Sequence, residues 1–182
     1  MNWGIERRAI ARHAGLPRGM VLSSKIPGGN MKVLGIRCSN SDYAYCIISG
    51  IRMAPAVEAT RRVSLPEGYN EAESLKWLRQ EMQNIFGSHR FDQVGIKKAE
   101  TNARRTNALD ARIRNEAIVS LVAAESGCLR VAWKVKSTIA KDLGLKGKGK
   151  YLESRLDTSP IIGFDAYPRE IKEAVLVGWS CM

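Results

Sequence analysis

The spacing of apolar positions changes along this chain. From Lys32 to Gly50 the sequence reads KVLGIRCSNSDYAYCIISG: an apolar run ends in the polar Ser39-Asn40-Ser41-Asp42 segment, and a second apolar run follows at once. This predicts two antiparallel strands joined by a tight turn. Val57–Leu65, bracketed by Pro55 and Pro66, predicts a third strand, with Arg61 and Arg62 at or near a solvent face. The period then lengthens. Leu75, Leu78, Met82, Ile85 and Phe86 recur at three and four, one apolar stripe on a helix that ends at Gly87. Asn70, with Glu73 three residues on, is a capping box that starts it.

Phe91–Lys97 predicts a short buried strand. The polar stretch Lys98–Thr106 leads into the longest helical pattern, from about Asn107 to Ser126, with Leu109, Ile113, Ala117, Leu121 and Ala124 as its inner stripe and Gly127 as its stop. Cys128–Trp133 reads as the next strand, Lys136–Leu143 as a short helix, Lys146–Lys150 as a mobile basic loop and Tyr151–Leu156 as a helical turn or two. Asp165 and Pro168 announce a last helix through about Trp179. The order β-β-β-α-β-α-β-α-α predicts an α/β fold: a mixed five-stranded sheet, three antiparallel strands and then parallel ones, flanked by helices.

The chain has 182 residues, enough for one domain with a proper core. Residues 1–30 carry Arg7, Arg8, Arg12, Arg18 and Lys25 and end in Pro27-Gly28-Gly29-Asn30 before Met31. They read either as a basic, flexible arm or as a mis-assigned start with Met31 the true first residue, so the folded domain is expected over 31–182. The arm lacks an apolar signal-peptide core, and no apolar stretch reaches the ~20 residues a membrane span needs.

Charge narrows the function. Twenty-nine Lys and Arg against 18 Asp and Glu give a net charge of +11, which favours a polyanionic partner. The four cysteines, Cys38, Cys46, Cys128 and Cys181, form no CxxC pair, so zinc is not expected; they read as reduced thiols of a cytoplasmic protein. His13 and His89 are far apart in polar sequence and read as surface residues. There is no Walker loop, no GxGxxG between a strand and a helix, and no HExxH.

Three passages, KVLGIRCSNSDYAYCIIS, QVGIKKAETNARRTNALDARIRNEAIVSLVAA and VAWKVKSTIAKDLGLKGKGKYLESRL, come in the order and spacing of a known family. Together with the final helix they resemble the ribonuclease H-like superfamily, in its RuvC-like branch of nucleases and resolvases, over about Met31 to the end; the chain is also similar to a group of small uncharacterised bacterial proteins with this domain. The resemblance implies a cleft where carboxylates hold two divalent ions that activate a water and stabilise the leaving oxygen of a phosphodiester. Carried over residue by residue, the first carboxylate position is Arg37 and the second is Lys97. The last pair is kept as Glu170 and Glu173, neighbours on one helical face.

Two metal-seat positions thus carry positive charge, and Glu170 and Glu173 read either as the partners of these two cations in fixed ion pairs or as plain helix-start acids favoured by the helix dipole. The resulting expectation is a nucleic-acid-binding protein, DNA or RNA, without metal-dependent nuclease activity and without a cofactor. Lys98, Arg104, Arg105, Arg112, Arg114, Lys136, Lys141, Lys146, Lys148 and Lys150 are the candidate phosphate contacts, with Arg105 and Arg112 on one helix face. Tyr43, Tyr45 and Trp133 fall on predicted strands and read as core rather than as stacking platforms. The alternatives are a divergent Mg- or Mn-dependent nuclease with relocated carboxylates drawn from Asp42, Glu100, Glu170 and Glu173, with Asp110 also near that edge, or a protein-interaction scaffold. A homodimer through helices or the hairpin edge is compatible with either.

Overall fold

The computed structural model describes residues 30–100, 103–128, 130–145, 149 and 152–182. The N-terminal arm and Lys146, Lys148 and Lys150 lie outside the described residues. The strands are β1 (Met31–Cys38), β2 (Asp42–Ile51), β3 (Ala54–Ser64), β4 (Gln93–Lys97) and β5 (Val131–Lys134). The helices are α1 (Glu71–Ser88), α2 (Asn107–Glu125), α3 (Lys136–Asp142), α4 (Leu152–Arg155) and α5 (Arg169–Trp179), with a 3-10 turn at Phe164–Ala166. The sheet order is β3-β2-β1-β4-β5. β1, β2 and β3 pair antiparallel, while β4 and β5 run parallel to β1, as the alternation of strands and helices predicts.

Both faces of the sheet are covered, so its central strands are apolar on both sides. Leu34, Ile36, Val94 and Ile96 pack with Leu78 and Met82 of α1 and Val119, Val122 and Ala123 of α2. Val33, Ala44, Cys46 and Ile48 pack on the other side with Ile171, Val175 and Leu176 of α5. Glycines set how close α5 comes. A Cβ on Gly35 would stand 2.8 Å from the Cα and N of Gly178, and one on Gly95 would stand 2.8 Å from the carbonyl oxygen of Val177. Bare backbone on β1 and β4 therefore lets α5 lie directly on the sheet. All four cysteines are buried and free; burial pushes the Cys38 and Cys46 thiols up to about 12.

The capping box at Asn70 and Glu73 is present in both directions. Gly87 does not stop α1, which continues to Ser88 and hands over to an extended His89. Pro55 lies inside β3 rather than before it, opposite Gly50, which an edge strand tolerates because its outer N–H positions need no partner. The expected inner stripe of α2 is turned the other way: Ile113 and Leu121 are each 48% exposed and Ala117 and Ala124 face solvent. Asn115, Glu116, Val119, Val122 and Ala123 are the buried set. The upper part of this helix leans on backbone and charged groups at the end of the sheet, so its inward face is polar there. Trp133, expected in the core, is 41% exposed because β5 is the other edge strand.

Candidate functional site

The parallel neighbours β1 and β4 end side by side. Arg37 and Lys97 each follow the last paired couple, Ile36 and Ile96. By strand alternation both point to the face that carries α5. Arg37 is half-buried, and its guanidinium bridges two elements: Nη1 reaches Asp42 Oδ1 at 3.2 Å and Nε reaches Glu173 Oε2 at 3.2 Å. Asp42, at the first position of β2, is held by the turn itself. Its Oδ1 accepts from the Ser39 hydroxyl at 2.8 Å, and its own N–H donates to that oxygen at 2.9 Å.

Arg62 reaches in from β3. Its Nη2 is 2.6 Å from Asp42 Oδ2 and its Nη1 is 3.5 Å from Glu170 Oε2. Glu173, buried at the start of α5, also has Arg169 Nε at 3.8 Å and Lys136 Nζ at 4.0 Å. The carboxylates of this edge thus alternate with cations from β1, β3, α3 and α5.

Lys97 forms a second, adjoining group. It is 4% exposed, and its ammonium donates to the Lys98 carbonyl at 2.8 Å and to Glu100 Oε1 at 2.9 Å. The same Glu100 oxygen accepts the backbone N–H of Lys136 at 3.2 Å. Arg112 closes the cleft from α2, donating to the Lys97 carbonyl at 2.6 Å and to the buried Glu116 at 2.7 Å. Asn115 donates to the Ser39 carbonyl at 2.8 Å, which pins α2 against the β1–β2 turn.

These contacts revise several expectations. Arg37 does pair with Glu173, but Glu170 pairs with Arg62, and Lys97 pairs with Glu100 rather than with either α5 acid. Arg112 is spent inside the fold, not presented to solvent, and it shares no helix face with Arg105, which precedes the α2 N-cap Thr106. Arg105 is surface-exposed and paired with Asp110 at 3.2 Å; Arg114 pairs with Glu71 at 2.7 Å. Lys98 is half-buried and Arg104 exposed, both on the rim after β4. Sequence reading missed the inward role of Arg62. Its parity with Asp42 across the β2–β3 ladder is the signal that could have found it.

The charges leave their mark on the acids. Burial raises the pKa of the Asp42 carboxyl, but hydrogen bonds from Arg62 and Ser39 and the charges of Arg62 and Arg37 outweigh it and hold the value below the ordinary 3.8. Burial likewise opposes ionisation of Glu100, and Lys97 with the Lys136 N–H outweighs it, placing Glu100 below its ordinary 4.5. For Glu116 burial wins over Arg112 and the value is raised. Acids with depressed values bind fewer protons folded than unfolded. Asp42 and Glu100 therefore contribute stability in full above about pH 4.5, and it is lost as pH falls through their folded values. Glu116 has the opposite sign and favours the folded state at low pH. Urea midpoints should drop between pH 5 and pH 3, and Asp42→Asn together with Glu100→Gln should flatten that drop.

The acids that line the cleft each have a cation against them, and Arg37 stands between Asp42 and Glu173, where a guanidinium repels a metal ion and cannot ligate one. Among the described residues no three His, Cys, Asp or Glu side chains come together to hold an ion.

Set against solved structures, the chain matches Thermus thermophilus RuvC in complex with Holliday junction substrate at a TM-score of 0.69, with 14% identity over 82% of this chain and 92% of that one. The fold is RuvC-like. Another Thermus thermophilus RuvC structure matches at 0.64 with 12% identity over the same shares, and the yeast mitochondrial Holliday junction resolvase at 0.58 with 13% identity over 82% of this chain and 77% of that one. No protein-family model and no curated protein matches the sequence. The RuvC-like sheet, with its ribonuclease H-like strand order, places Arg37 and Lys97 at the edge where its parallel strands end. No helix among the described residues is long and apolar enough to cross a membrane.

Proposed function

We propose that this protein binds nucleic acid through the sugar-phosphate backbone, using a RuvC-like cleft cross-linked by fixed ion pairs in place of catalytic cations. The Arg37 guanidinium between Asp42 and Glu173 is the observation that carries this reading. Two further facts support it: the net charge of +11, and the likeness to resolvases, one of them solved with Holliday junction substrate. The exposed or half-exposed basic groups on the rim, Lys98, Arg104 and Arg105, are the phosphate contacts assigned on the described residues, with Lys146, Lys148 and Lys150 assigned from sequence. Such contacts give affinity without sequence reading.

Affinity for a labelled branched or duplex oligonucleotide should fall steeply with salt, by roughly 100-fold between 50 and 200 mM if about four phosphates are neutralised. It should be unchanged by EDTA, and manganese should weaken it only as an added counterion does. An affinity indifferent to salt would sink the backbone-gripping mode. Manganese-dependent cleavage that disappears in Glu173→Gln would instead establish the divergent nuclease. A protein that binds no nucleic acid but co-purifies with a stoichiometric partner would be a scaffold.

A further inference from the structure

The segment leaving β3 passes the cleft before it enters α1. The Leu65 N–H donates to the Ser41 carbonyl at 2.8 Å, one residue from Asp42. Five residues of this segment and of the first turns of α1, Tyr69, Glu73, Lys76, Trp77 and Gln80, line an open concavity of about 340 Å³. Tyr69 is 49% exposed. Trp77 is half-buried and backed by Tyr43, whose ring lies 6.4 Å away at 54°, while Tyr43 is itself stacked on Tyr45 at 6.2 Å. The indole is thereby fixed by the core on one side and offered to the concavity on the other. Glu73 is already committed: its Oε2 accepts the Asn70 N–H at 2.8 Å in the capping box.

The concavity therefore combines two aromatic side chains, a lysine, a side-chain amide and a carboxylate that is already bonded. A flat ring with a polar edge, followed by a phosphate, matches that set. Aromatic side chains stack any base, because every base has a π face, and a cation beside them meets the adjoining phosphate. We infer that this concavity seats one unstacked base of a single-stranded segment whose backbone continues to the cleft. The inference rests on the nucleic-acid reading above and adds to it a preference for unpaired strand. Trp77 and Tyr69, not the tyrosines of β2, form the platform.

The test uses the full chain, with fluorescence anisotropy of a labelled oligo-dT of about 12 nucleotides and of a duplex of the same length. Tyr69→Ala should weaken oligo-dT binding about 5- to 10-fold, as expected for one lost stacking partner, and leave duplex binding within about twofold. Tyr69→Phe should retain the wild-type values. Tyr69 is half out in solvent, so the unfolding temperature of Tyr69→Ala should match that of wild type. Unchanged oligo-dT affinity in Tyr69→Ala, or an equal loss on single strand and duplex, would overturn the base seat and leave the backbone reading standing. Failure of the wild-type protein to bind either oligonucleotide would overturn both.

Discussion

Asp42→Ala should cost about 3 kcal/mol of folding stability, the scale for removing one partner from a buried ion pair. Asp42 is 6% exposed and each of its oxygens faces a different arginine, Oδ1 toward Arg37 and Oδ2 toward Arg62. Without it, Arg37 keeps only Glu173 and Arg62 only Glu170, and the two cations, from the strands on either side of β2, lose the carboxylate that stands between them. The Ser39 hydroxyl loses its acceptor at the turn as well. For a domain of this size the melting temperature should fall by about 6–12 °C. Asp110→Ala is the control: its partner Arg105 is 86% exposed, and a loss of no more than about 0.5 kcal/mol is expected. Equal melting temperatures for Asp42→Ala and wild type would show that the ion pairs at the cleft do not hold it together.

The second large effect is a change in kind. In the double variant Arg37→Asp with Lys97→Glu, two cations at the ends of β1 and β4 become carboxylates, one facing Asp42 and Glu173 and the other facing Glu100. Like charges at a few Å in a part-buried site repel by several kcal/mol at an effective dielectric of about 20. The variant should melt well below wild type without divalent ions, and manganese should raise its melting temperature with the logarithm of ion concentration once that exceeds Kd. Wild type should show no such rise. If manganese stabilises both proteins alike, the cations at 37 and 97 are not what governs metal access, and the proposed function loses its main support. If the variant folds but ignores manganese, residues other than these two block the seat.

Much of the fold could be read along the chain. The β1–β2 hairpin, the capping box at Asn70 and the alternation of strand and helix after β3 are local patterns, and local sterics and burial periodicity set them. Where the reading went astray, the deciding contact was distant. The stripe from Ile113 to Ala124 in α2 has the right period for a core face, yet the helix is rotated because its N-terminal half must satisfy polar groups at the ends of β1 and β4. Arg112, Asn115 and Glu116 do that and are invisible to an apolar count. Arg62 lies at the solvent face, as the sequence predicts, and what the sequence does not show is the acid its guanidinium meets. The β2–β3 register sets it opposite Ala44, on the same face as Asp42 and one pair along, and from there its guanidinium reaches the Asp42 carboxylate.

What the sequence determined by itself was the order of elements and the presence of the basic residues Arg37 and Lys97 at two strand ends, since chemical identity at a strand end needs no neighbours to be known. Which acids those cations meet was decided by tertiary structure alone. Glu173 lies 136 positions from Arg37 in the chain and meets it only because the bare backbones of Gly35 and Gly95 let α5 settle on the sheet. Charge pairing depends on distance in space, and the close packing of that helix on two glycines sets the distance.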